Sequence, residues 1–127
     1  MFILPVRYDR KSSVGVGRMK LYSGVRAMPG YRANVYVDGK LLDMNPSKTD
    51  IHDYDADALE WGYYGSGPSQ TAAAILYDIT GDKELTKMYH QEFKREFIAN
   101  FEQNGFVLLE SQVQNWLNKY RESEGDL

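Results

Sequence analysis

The feature that most constrains the fold is a glycine-rich turn that leads directly into a helix. The turn and the first helical residues are Glu60-Trp61-Gly62-Tyr63-Tyr64-Gly65-Ser66-Gly67-Pro68-Ser69-Gln70, and an alanine-rich segment follows at residues 71–76. Proline suits the first turn of a helix, because its missing N–H has no intrahelical partner there. The sequence therefore predicts a helix that starts at Pro68, with aromatic side chains in the turn before it.

Helical spacing of apolar residues continues through the C-terminal half. The first predicted helix covers residues 68–80, and Gly81-Asp82 supplies its stop and the next N-cap. A second helix is predicted over residues 83–102. Its apolar stripe consists of Leu85, Met88, Tyr89, Phe93, Phe97 and Phe101. A last helix is predicted to start at Glu110 or Ser111.

Strand signals fill the N-terminal half. Apolar and polar residues alternate at 19–25 and 33–37, and Asp38-Gly39 is a hairpin signal after the second segment. Residues 43–57 are predicted to form a solvated loop, and residues 106–108 a return strand or an extended link. The sequence thus predicts an α+β fold, in which a small antiparallel β-meander in the N-terminal half packs against about three C-terminal helices.

Length and composition indicate one domain over residues 1–127. Residues 1–17 are predicted to form an N-terminal arm or extension, and residues 122–127 a frayed tail. The chain has no cysteine, which fits a reducing compartment, and its apolar start at residues 1–6 is too short for a signal peptide. We therefore expect a cytoplasmic protein with no membrane span.

Charge is unevenly distributed along the chain, although the net charge is only −3. Residues 1–34 contain seven basic residues and one acidic residue, whereas acidic residues crowd residues 50–60. A basic arm of this kind is typical of phosphate or nucleic-acid contacts. The favoured interpretation is that the basic segment packs near the acidic loop, because the domain as a whole is acidic and nucleic-acid binders are usually basic.

Several motifs together resemble a family of short domain-of-unknown-function proteins. The matching residues are Lys20-x-Tyr22-x-Gly24, Val35-x-Val37-Asp38-Gly39, Glu60-Trp61-Gly62-Tyr63-x-Gly65-Ser66-Gly67-Pro68-x-Gln70, Ala72-x-Ala74-Ile75-Leu76 and Phe93-Lys94. The resemblance covers residues 19–117, and Tyr64 and Leu109 depart from the family pattern. Members occur mainly in phages, plasmids and prokaryotic genomes, so the resemblance implies a mobile-element origin. It assigns no catalytic residue.

The glycine-rich turn is the candidate ligand site. Backbone N–H groups at a helix N-terminus lack intrahelical partners, and the helix dipole favours an anion there. The predicted ligand-binding residues are Trp61, Tyr63, Tyr64, Gly65, Ser66, Gly67, Ser69 and Gln70. The alternative is that Ser66 caps the helix and that the glycines only allow the chain to turn. We favour this alternative, because the segment lacks the lysine of a P-loop.

The acidic segment offers a second candidate site. Asp50, His52, Asp53 and Asp55 are potential metal ligands, although Ala58 stands where an EF-hand loop requires glycine, which excludes that motif. A solvated acidic loop is the favoured interpretation, so no metal and no cofactor is predicted. His90 is predicted to be a surface or boundary side chain. No catalytic residue is assigned.

Ten tyrosines and the basic strand residues suggest a contact face. Such a face suits single-stranded nucleic acid or a protein interface, and the interface is favoured. Three hypotheses remain. The first is an accessory protein of a phage or mobile element that binds a host protein or assembles with itself. The second is a small-anion or nucleotide-binding module at the helix N-terminus. The third is a metal-assisted hydrolase that uses His52 and nearby aspartates.

Overall fold

The structure is a computed structural model that describes residues 19–26 and 32–125. The strands are β1 (Leu21–Arg26), β2 (Ala33–Val37), β3 (Lys40–Leu41) and β4 (Gly105–Leu109). The helices are α1 (Asn45–Asp50), α2 (Ser66–Thr80), α3 (Lys83–Glu96) and α4 (Glu110–Gly125), with a short 3-10 helix at Ile98–Asn100. None of the helices in these described ranges is long and apolar enough to cross a membrane.

Contacts divide the chain into two compact units. Of the described residues, one unit contains those within Tyr22–Val107, and the other contains residues 19–21 and 108–125. The predicted N-terminal arm, residues 1–17, lies outside the described residues. Fraying of residues 122–127 stays a prediction.

The four strands form one antiparallel sheet in the order β3-β2-β1-β4. Tyr22 pairs with Val37 at one end of the β1–β2 ladder, and Arg26 pairs with Ala33 at the other. Asp38 and Gly39 connect β2 to β3 with φ values of 51° and 85°. Positive φ at both positions is what a two-residue hairpin turn requires. The predicted α+β fold and its meander are confirmed, and residues 106–108 belong to a strand.

The two faces of the sheet differ sharply in burial. Tyr22, Gly24 and Val35 lie on the inner face and are buried. A Cβ atom on Gly24 would lie 2.3 Å from Cε2 of Phe106 and 2.9 Å from Cη2 of Trp61. Because Gly24 has no side chain, both aromatic rings can pack directly on the backbone of β1.

Residues 43–57 differ from the predicted solvated loop, because α1 forms within them. Pro46 stands in the first turn of α1, and the Oδ1 atom of Asp43 accepts a 2.9 Å hydrogen bond from the Asn45 N–H. Both features are common at the start of a helix, but this helix is only six residues long. Short helices depend on tertiary contacts, which a local pattern does not reveal.

The three C-terminal helices are confirmed with shifted ends. Helix α2 begins at Ser66, and Gly65 is its N-cap, so the prediction that Ser66 caps the helix is wrong. Helix α3 ends at Glu96 because the Nδ2 atom of Asn100 donates to the carbonyl oxygens of Arg95 and Glu96 at 3.0 and 3.2 Å. These bonds occupy carbonyl groups that a longer helix would use internally. The Asp82 cap of α3 is confirmed by a 3.0 Å bond from the Leu85 N–H.

Candidate functional site

Trp61 is a core residue rather than a surface aromatic. Its side chain is fully buried, and its indole Nε1–H donates to the carbonyl of Glu102 at 3.0 Å. The ring meets Phe106 edge to face, with 5.0 Å between centroids. The guanidinium of Arg26 lies 4.9 Å from the ring centroid. The tryptophan therefore fixes the turn against the sheet.

Arg26 is held by an internal ion pair with Glu60. Two guanidinium nitrogens contact the two carboxylate oxygens at 2.7 and 3.1 Å, and Nε donates to the carbonyl of Gln103 at 2.9 Å. The hydrogen bond to Glu60 raises the pKa of Arg26. This basic strand residue is thus engaged within the protein, and the predicted nucleic-acid face loses one of its cations. Tyr22, on the same strand β1, is buried, and its hydroxyl donates to Asp78 at 2.5 Å.

The N-terminal turn of α2 is closely covered by the residues of the glycine-rich turn. A Cβ atom on Gly67 would lie 2.7 Å from Cβ of Glu60 and 3.1 Å from the hydroxyl of Tyr63. Burial raises the pKa of this tyrosine. A carboxylate-bearing side chain at this helix end already complements the dipole. The geometry therefore favours the interpretation in which these glycines allow close packing, and it gives a free anion little room at Gly67.

Gln70 ties α2 to α1 and to the segment that follows α1. Its side chain is fully buried, and Oε1 accepts from the Tyr54 N–H at 2.9 Å. Its Nε2 donates to Oγ of Ser47 at 2.9 Å and to the carbonyl of His52 at 3.0 Å. All three bonds lie inside the protein, so Gln70 positions this segment.

A network of polar side chains joins α2, α3 and the segment after α1, and we call it the Lys94 cluster. Its members are Tyr54, Ser69, His90, Gln91 and Lys94. Nζ of Lys94 donates to Oγ of Ser69 at 3.2 Å, and Nε2 of Gln91 donates to the Tyr54 hydroxyl at 2.6 Å. The exposed ring of Tyr64 lies 5.5 Å from the lysine ammonium. Sequence reasoning missed Lys94, whose partners are distant in the chain.

His90 is buried, so its prediction as a surface or boundary side chain is wrong. Its Nδ1 lies 2.8 Å from the carbonyl of Thr86, and because a carbonyl only accepts, Nδ1 carries the proton. Nε2 then accepts from the Tyr54 hydroxyl at 2.7 Å. Burial lowers the pKa of His90, the backbone of Thr86 and Lys87 opposes this in part, and the nearby Lys94 adds to the lowering. The environment therefore favours the neutral imidazole.

The acidic residues proposed as metal ligands point to different partners. Asp50 accepts from the Tyr77 hydroxyl at 2.7 Å, and Asp53 lies 3.8 Å from Nζ of Lys48. His52 is exposed and its ring centroid lies 4.4 Å from that of Tyr54. Within residues 19–26 and 32–125, no group of three or more metal-ligating side chains comes together.

The outer sheet face, opposite the buried inner face, carries exposed apolar side chains. We define it by Ser23, Val25, Asn34, Tyr36, Leu41 and Val107. Val25 is 51% exposed, Leu41 63% and Val107 67%, and the other three are half-buried. Tyr36 pairs with Leu41, and Val25 pairs with Asn34, so these side chains are cross-strand neighbours. The alternation along the strands was the signal that pointed to this face.

Comparison with protein-family models matches residues 22–119 to a family described as being of unknown function. This match covers most of the chain and nearly the same residues as the resemblance drawn from the motifs. Comparison with curated proteins and with solved structures gave no match.

Proposed function

Since the chain belongs to the family of unknown function DUF6166, we propose a function from its structure: it acts by binding, and it assembles with a second copy of itself through the outer sheet face. The observation that carries this proposal is the exposure of Val25, Leu41 and Val107 on one side of the sheet. Tyr36 pairs with Leu41 on the same face, and a face on which several apolar side chains are exposed is typical of an interaction surface.

The chemistry of this face suits a second copy. None of its six residues carries a charge. In a twofold pair the same patch meets itself, so any net charge on the patch would face a like charge. An uncharged face avoids this repulsion, and a charged partner would find no complement on it. Tyr36 adds an aromatic side chain, which is enriched in interfaces.

Catalysis has less support in the geometry. The potential metal ligands of the acidic segment contact different partners, and Gln70, which follows the turn, is bonded within the protein. An origin in a phage or other mobile element, and a cytoplasmic location, belong to the same proposal. The origin is supported by the motif resemblance and the location by the lack of cysteine.

Sedimentation velocity over a range of protein concentrations tests the self-assembly. We expect the wild type to be dimeric at about 100 µM and Val107→Glu to be monomeric, because each dimer would bury two carboxylates without partners. Met88→Glu is the matched control, since Met88 is 66% exposed but lies on α3. Circular dichroism checks that both variants fold. A monomeric wild type, or equal dissociation of both variants, would refute the proposal.

A further inference from the structure

We propose that the Lys94 cluster binds a phosphate group, with Lys94 and Ser69 as its donors and Tyr64 beside it. This site is independent of the outer sheet face, because all of its residues lie on α2, α3 and the segments before α2. It is also distinct from the backbone of the α2 N-terminus, which Glu60 and Tyr63 cover. The inference depends on charge, on the hydrogen-bond directions and on access.

The ammonium of Lys94 is half-buried, and no carboxylate in the described part of the chain lies within 4.0 Å of it. Burial lowers the pKa of Lys94, and the only charged neighbour that adds to this shift is Arg95, which has the same sign. The positive end of the α2 dipole is also close, since Ser69 lies near the start of that helix. A cation placed among like charges gains free energy from an anionic ligand.

The hydrogen bonds of the Lys94 cluster have defined donors and acceptors. Since Nδ1 of His90 donates to Thr86, the Tyr54 hydroxyl must donate to Nε2 of His90. That hydroxyl in turn accepts from Gln91. Oγ of Ser69 accepts from Gln91 at 3.4 Å and from Lys94 at 3.2 Å, so its own proton remains available.

Two residues of the cluster, Lys94 and Ser69, therefore keep donors that the hydrogen bonds within the cluster do not use. Lys94 has three N–H bonds and uses one of them on Ser69. Two ammonium protons and one hydroxyl proton remain, and each needs an acceptor. Phosphate offers several acceptor oxygens and a negative charge, and lysine binds it as a point charge.

The half-buried Lys94 can be reached from solvent. Tyr64 is 63% exposed, and its ring lies beside the ammonium. A phosphate group can thus approach Lys94 from solvent along this ring. Ser69 itself is only 3% exposed and already accepts two hydrogen bonds, so it can give a phosphate at Lys94 at most one hydrogen bond and is poorly placed to act as a nucleophile.

Titration with inorganic phosphate at constant ionic strength tests the site, with the melting temperature as the readout. We expect a saturable rise for the wild type and for Lys87→Gln, an exposed lysine on the same helix. For Lys94→Gln, which keeps a donor for Ser69 but has no charge, we expect affinity at least about tenfold lower. In phosphate-free buffer Lys94→Gln should melt no lower than the wild type, because it removes an unpaired cation.

A flat titration of the wild type, or equal shifts in the two glutamine variants, would overturn the phosphate site. A large loss of melting temperature in phosphate-free Lys94→Gln would also overturn it, since the lysine would then have an internal role. A parallel titration with adenosine monophosphate identifies the source of the phosphate. If adenosine monophosphate binds more tightly than inorganic phosphate, and Tyr64→Leu removes this gain in affinity, the ligand is a nucleotide. Equal binding identifies the phosphate group alone.

Discussion

Replacing Gln70 with methionine tests whether this residue holds the segment after α1 in place. The methionine side chain has nearly the same length and volume, so packing alone should cost less than about 1.5 kcal/mol. The substitution leaves the Tyr54 N–H and the His52 carbonyl without the partners that Gln70 provides. Ser47 keeps its 2.8 Å bond to the carbonyl of Met44.

The magnitude follows from those two backbone groups. A buried polar group left without a partner costs about 1–3 kcal/mol, which gives an upper limit of about 6 kcal/mol for the pair. His52 is exposed, so water reaches part of the segment and recovers some of this free energy. We expect the free energy of unfolding to fall by about 3 kcal/mol, a large part of the stability of a domain.

Urea denaturation followed by tryptophan fluorescence measures this loss, and Ser47→Ala supplies a comparison. Ser47→Ala should cost about 1 kcal/mol, because Gln70 keeps its other two bonds. The double variant should lose less free energy of unfolding than the sum of the losses in the two single variants, because each single variant already removes the same 2.9 Å bond between Gln70 and Ser47. If Gln70→Met costs less than about 1 kcal/mol, the segment is held by other contacts and the reasoning fails.

Three further outcomes follow from the packing and the charges. Gly24→Ala should lower the free energy of unfolding by at least about 2 kcal/mol, because its Cβ would lie 2.3 Å from Phe106, as chemical denaturation will measure. His90 has a lowered pKa in the folded protein. The unfolded state therefore binds the proton more readily, and stability should fall as pH drops below about 6.5. In His90→Gln, unfolding curves at several pH values should show a weaker dependence. Arg26→Lys should lower the melting temperature, since lysine replaces a two-point contact with Glu60 by a single one.

Local signals were enough to predict most of the fold. The Asp38-Gly39 turn and the strand alternation specify the hairpin within a few residues, and the Asp82 cap marks the start of α3. The end of α3 was misplaced because Asn100 caps it through a side chain, whereas the apolar stripe continues beyond Glu96. A stripe reports which residues are buried, but it does not report where the backbone leaves the helix.

The candidate site was harder to predict, because its contacts join residues that are far apart in sequence. Trp61 donates to Glu102, and Gln70 binds residues before the turn, so a motif that looks like a binding loop is largely fixed from within. Lys94 was part of the family pattern, but no role was assigned to it, since a lysine on a helix is usually a solvated side chain. The proposed role of Lys94 in phosphate binding depends on the lack of a nearby carboxylate among the described residues, which only the three-dimensional structure reveals.

The two-residue length of β3 has a consequence for how assembly ends. A sheet that continues through many molecules needs an open edge on both sides of each copy. Here one edge is a strand of two exposed residues, one of which is Lys40. So short an edge, with an ammonium beside it, gives an incoming strand almost no backbone to pair with. Copies that meet face to face should therefore stop at a pair instead of growing into fibrils.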